Sequence, residues 1–201
     1  DSRYWVQAEA QLQGSGIELM KLGAQGTPSL DEWRKEQLTA TQTVGVNGLA
    51  LSVAQALALE ESLGQAELEL IVAHELLDAF WDTRPALPQA AIYEHDAKYA
   101  GLPRQQKIHQ VREAMRTLES DVHLISSLDD IAWLLNLRGS DVEYNPVFLS
   151  HMIVTGDQVL LFVDSTKLSA SLVQGLATDG VTLRPYEAVS TELARLLADE
   201  Q

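Results

Sequence analysis

Apolar positions along the chain switch repeatedly between helical and extended spacing. Tyr4, Val6, Ala8 and Leu12 make a helix-like run at the start. IELMKL at 17–22 reads as a short strand, and the Gly-containing stretch 23–28 as a loop. Ser29 with Glu32 has capping-box spacing and opens a helix over SLDEWRKEQL. Residues 43–46 predict a buried strand. Residues 52–63 predict an Ala/Leu-rich helix closed by Gly64, and 67–72 a further strand.

The second half repeats the alternation without repeating the sequence. WDTRPALPQ, residues 81–89, holds two of the six prolines and no helical period, which favours an extended connector. The stretch up to Gly101, with Tyr93, His95 and Tyr99, reads as an irregular cover. After Pro103, Ile108, Val111, Met115 and Leu118 line one side of a helix over 104–118. A short strand at 122–125 leads to SSLDDIAWLLNLRGSDVEYNPVF. There Ser127 stands at the N-cap with Asp130 three residues on, and Leu128, Ile131, Leu134 and Leu135 form one apolar face. Gly139, after Leu137 and Arg138, is expected to end this helix. PVFLSHMIV reads as one long buried strand, turned back at Thr155-Gly156-Asp157 into VLLFV. Helices at 168–176 and 186–197 flank a strand near 181–183. Alternation of this kind predicts an α/β fold with each mixed sheet flanked by helices.

Composition narrows the function classes. The 201 residues carry a net charge of -15, so the basic footprint for nucleic acid or an anionic membrane is missing. The uncharged stretch 37–59 is broken too often by Gln, Thr, Asn and Gly to span a bilayer. With no cysteine, disulfides and thiol chemistry are excluded, a pattern compatible with the cytoplasm, which is the expected compartment. His74-Glu75 lacks the second histidine of a zincin helix, because Asp78 stands four residues on. His95-Asp96 is isolated, and His151 reads as a core or edge histidine of its strand.

IAWLLNLRGSDVEYNPVF closely resembles the middle domain of Xaa-Pro aminopeptidase (aminopeptidase P). Two further stretches agree: Asp1, Arg3, Tyr4, Gln7 and Ala8 match a turn of the family's first domain, with Ser2 in place of glycine, and Trp81 to Gln89 match the link between its first two domains. The resemblance implies two consecutive creatinase/prolidase N-terminal-like (ribonuclease-H-like) domains. Residues 1–80 would be the C-terminal part of domain I, 81–103 the Pro-containing linker, and 104–201 domain II, cut before its end.

By the same resemblance, the parent would be a manganese-dependent metallo-aminopeptidase of the cytoplasm. It would release the N-terminal residue from a peptide with proline at the second position. Two manganese ions would sit in a C-terminal pita-bread domain absent from this chain, so the chain is expected to hold no cofactor and no catalytic residue. The parent could form a homodimer, with the 201-residue piece a monomer. Arg3 inherits a substrate-binding role. Arg138, Asp141 and Asn145 either face the cleft or brace the loop, with Arg138 and Asp141 paired to each other or to backbone. Trp81 and Arg84 are expected to pack at the domain interface. The alternative is a non-catalytic binding module of the pita-bread family, comparable to a histone chaperone. A prolidase or creatinase relative is a third possibility.

Overall fold

In a computed structural model, which describes residues 2–72 and 80–198, the chain divides into two compact units, Asp1–Pro85 and Ala86–Gln201. His74-Glu75 lies outside the described residues.

The first unit contains α1 (Ser2–Leu12), α2 (Leu30–Gln37), β1 (Thr43–Gly45), α3 (Val53–Gly64) and β2 (Glu69–Ile71). Ser29 and Glu32 form the expected reciprocal capping box on α2, and Ser52 with Gln55 forms a second on α3. Strands β1 and β2 pair in parallel, as the intervening helix requires. The segment 17–22 is not a strand: it lies outside any helix or strand, ends in a turn at Leu22, and has no strand partner among the described residues. An IELMKL pattern supplies propensity, but a lone strand leaves its backbone groups unpaired. Leu63 and Leu68 are the only buried apolar side chains among the described residues of this unit.

The second unit holds β3 (Tyr93–Glu94), α4 (Ala97–Ala100), α5 (Arg104–Thr117), β4 (Val122–Ile125), α6 (Leu128–Leu135), β5 (Leu137–Arg138), β6 (His151–Thr155), β7 (Val159–Phe162), α7 (Ala170–Thr178), β8 (Val181–Arg184) and α8 (Val189–Ala198). Its four-stranded sheet has the order β4-β6-β7-β8, antiparallel except for the parallel pair β7·β8. Side-chain alternation along β6 and β7 sorts the core into two layers. Met152, Val154, Val159 and Leu161 face α5, α6 and α7 residues such as Ile108, Ile131 and Leu172. Ile153, Leu160 and Phe162 face the other way, onto Val189, Leu193 and Leu196 of α8. The unit is therefore a mixed sheet with helices on both sides, the α/β class read from the pattern.

Four local features of this unit differ from the expectation. The 81–101 region is not wholly irregular, because β3 pairs antiparallel with β5 and α4 follows it. The strand expected from Pro146 begins only at His151. The helix expected to reach Gly139 stops at Leu135, with Asn136 as the left-handed cap at φ 53°. Ser127 occupies the N-cap of α6, but its side chain makes no capping hydrogen bond.

Candidate functional site

The end of α6 is built by cations. A helix leaves its last carbonyls without intrahelical donors. Here the Lys107 ammonium donates to the Trp133 carbonyl at 2.8 Å, and Arg138 Nη1 donates to the Ala132 and Leu137 carbonyls, both at 2.8 Å. Lys107 also donates to Asn136 Oδ1 at 2.6 Å and lies 4.3 Å above the Trp133 ring. Asn136 Nδ2 in turn donates to the Leu102 carbonyl at 2.8 Å. The left-handed cap is thus an asparagine whose buried amide is used at both ends. Burial, with a smaller contribution from the Arg138 charge, holds the Lys107 pKa below its ordinary value.

Beyond Arg138 the chain makes a narrow hairpin. Gly139 N–H donates to the Pro146 carbonyl at 3.3 Å, and Asp141 N–H to the Val147 carbonyl at 3.1 Å. Val142 bridges to Asn145, whose N–H donates to the Val142 carbonyl at 3.2 Å. A Cβ on Gly139 would stand 2.8 Å from that of Phe148, so glycine here serves close approach of two backbones.

Asp141 anchors the hairpin from inside. Its side chain is 0% exposed and that of Lys167 is 3% exposed, and the two form an ion pair. Asp141 Oδ2 also accepts from Leu149 N–H at 2.7 Å, whereas Oδ1 is buried without a hydrogen-bond partner. Arg138 and Asp141 therefore do not pair with each other. Each braces the loop through backbone, and Asp141 also through Lys167. Asn145 is half-buried, with Nδ2 at 3.5 Å from Asp129 Oδ1.

Lys167 and Leu149 continue into a cleft of about 490 Å³ at the carboxyl ends of the parallel strands β7 and β8. That end of an α/β sheet is where crevices commonly form. Pro88, Val163, Leu183 and Tyr186 supply apolar wall, while Asp164, Arg184 and Glu187 supply charge. The Thr166 hydroxyl and N–H hold the Asp164 carboxyl below its ordinary pKa. Next to this cleft, His151 stacks on Tyr186 with ring centroids 5.1 Å apart, and its Nδ1 lies 2.9 Å from Ser126 Oγ. Burial pushes the His151 pKa down, which favours the neutral ring. His151 is thus held half-buried at the start of β6, an interior strand of the sheet, so its place is the strand's end and not the sheet's edge.

The four singled-out residues fall in both units. Arg138, Asp141 and Asn145 share the hairpin. Arg3 is an exposed residue in the first turn of α1, where a separate turn was expected. Trp81 and Arg84 lie against each other, the Arg84 guanidinium 5.6 Å from the ring centroid. Sequence reasoning missed Lys107, Asn136 and Lys167. Nothing in the local sequence marks the two lysines as buried beyond the apolar helix face around Lys107.

Comparison with known proteins adds the lineage. Residues 83–201 match the model of the creatinase/prolidase N-terminal domain. The chain belongs to that family. It is 39% identical over 198 residues to a probable Xaa-Pro aminopeptidase P of Talaromyces marneffei, covering 98% of this chain and 30% of the relative. It is 38% identical to Aminopeptidase P2 of Arabidopsis thaliana, covering 98% of this chain and 28% of that protein. The fold of X-prolyl aminopeptidase from Caenorhabditis elegans, described as a cytosolic enzyme with a di-nuclear active site, superposes with a TM-score of 0.89 at 28% identity. That match covers 98% of this chain and 32% of the worm enzyme. The chain thus spans about a third of the length of these relatives. Among the described residues no three His, Asp or Glu side chains converge as a metal site.

Proposed function

We propose that this chain is the non-catalytic N-terminal and middle part of a metal-dependent Xaa-Pro aminopeptidase. Residues 1–80 would belong to domain I, 81–103 to the linker and 104–201 to domain II. The observation that carries the reading is end-to-end similarity, 39% over 198 residues, to a relative of which this chain spans 30%. The parent would remove the first residue of a peptide whose second residue is proline, in the cytoplasm, using two manganese ions held by a C-terminal domain.

In that protein the chain shapes the substrate cleft. Arg3 would hold the peptide, and the hairpin of Arg138, Asp141 and Asn145 would keep its wall rigid. The inward bonds of Arg138 and Asp141 support a bracing role in preference to direct contact. The test is release of arginine from an Arg-Pro-Pro peptide. The longer protein with manganese is expected to release it, and the purified 201-residue chain is not. Release by the short chain, or none by the long one, would overturn the proposal.

A further inference from the structure

The tip of the hairpin contains an uncompensated oddity. Val142, Glu143, Tyr144 and Asn145 form a tight turn closed by the Asn145 N–H, and Tyr144 at its third position has φ 62°. A turn of this shape favours glycine or asparagine there, because a Cβ crowds the backbone. Tyrosine gains nothing locally in return, since Tyr144 is 99% exposed. The turn is nevertheless fixed: Asp141, Lys167, Leu149 and the Gly139–Pro146 bond tie both of its legs to the core. Strained backbone held by an over-determined frame, presenting a whole aromatic ring to solvent, is the arrangement of a binding anchor.

We propose that Tyr144 is such an anchor, and that its receptor is a part of the same polypeptide outside residues 1–201. This rests on the reading above that the chain belongs to a longer protein. The relatives carry about two thirds of their length beyond the matched region. A partner on the same chain meets the ring at an effective concentration on the order of millimolar, which no second molecule matches at cellular levels. The receptor is an apolar slot with a hydrogen-bond partner for the phenol at its base. Its rim is cationic, because the residues on either side of Tyr144 carry negative charge to the tip: Glu143 is exposed, and the Asn145 side chain lies 3.5 Å from the exposed Asp129 carboxylate. Val142, also exposed, adds apolar contact beside the anchor.

Tyrosine nitration of the protein purified from its source, read by peptide mass spectrometry, tests this. Tyr99, 73% exposed, is the internal standard. Tyr144 is expected to react roughly tenfold more slowly than Tyr99 although it is the more exposed ring here. Equal rates overturn the proposal, and so does protection that disappears on dilution, which would make the occupant a second copy. The Tyr144→Gly variant of the same protein gives a second arm. Glycine relieves the turn, so a ring without a partner predicts an unchanged or raised unfolding midpoint. A docked ring predicts a lowered one. Peptidase activity assayed in parallel separates the two readings: activity with an unprotected Tyr144 removes the anchor alone, and protection without activity removes the aminopeptidase alone.

Discussion

Asp141 accepts two bonds through one carboxylate oxygen and none through the other, inside a site closed to solvent. A buried ion pair of this kind contributes little compared with an apolar pair of the same volume, yet removing one member strands the other. Asp141→Ala would leave the Lys167 ammonium and the Leu149 N–H without their acceptor. We expect a loss of about 3–5 kcal/mol. Replacing both residues, as in Asp141→Leu with Lys167→Met, should cost much less than the sum of the single changes. Urea unfolding of the four proteins in a double-mutant cycle gives the coupling directly, and additive losses would show that the pair is not a unit. The role of Asp141 was half legible in the sequence. Its bond to nearby backbone followed from loop polarity. Lys167 did not, because it stands 26 residues away and meets Asp141 only after β6, β7 and the turn that follows have formed.

At the scale of elements, the hairpin after α6 depends on how closely its two legs run. With Gly139→Ala the new Cβ would meet the Phe148 Cβ at 2.8 Å and the Val147 carbonyl oxygen at 3.1 Å. Both neighbours belong to buried residues with no space to retreat, so the substitution should destabilise by about 1–3 kcal/mol through overpacking. A thermal melt of the variant checks this, and an unchanged midpoint would mean that the legs part easily. The same glycine explains a misreading. A cation followed by glycine has the pattern of a helix C-terminus and predicts one here. The left-handed cap falls three residues earlier, because Lys107 and the Leu102 carbonyl satisfy the Asn136 amide and offset the cost of its φ. PVFLS reads as strand for a related reason. Its apolar residues are buried, but its backbone partners are the 139–141 leg of the hairpin and the Asp141 side chain, not a sheet. Periodicity reports burial and leaves the source of the hydrogen bonds open.

For the molecule as a whole, alternating helix and strand spacing was enough to show an α/β chain. What it did not disclose is how unequally the core is shared. Nearly every buried apolar side chain among the described residues lies in Ala86–Gln201, on two faces of one four-stranded sheet. The first unit carries a two-stranded sheet and leaves Ile17, Leu22, Leu30, Val53 and Leu57 exposed. Apolar burial is the main stabilising term of folding, so the two units should differ in resistance to opening. Brief digestion of this chain with proteinase K should leave a fragment close to 86–201 and degrade the remainder. Equal survival of both parts would contradict this. The cationic framework of the second unit has a chemical consequence as well. Of the five lysines in the chain, Lys107 and Lys167 are buried with their ammonium groups bonded, while Lys21, Lys35 and Lys98 reach solvent. An amine-reactive reagent therefore modifies three positions at once and the other two only when the fold opens. The slow pair of acylations is a built-in clock for the opening of that core.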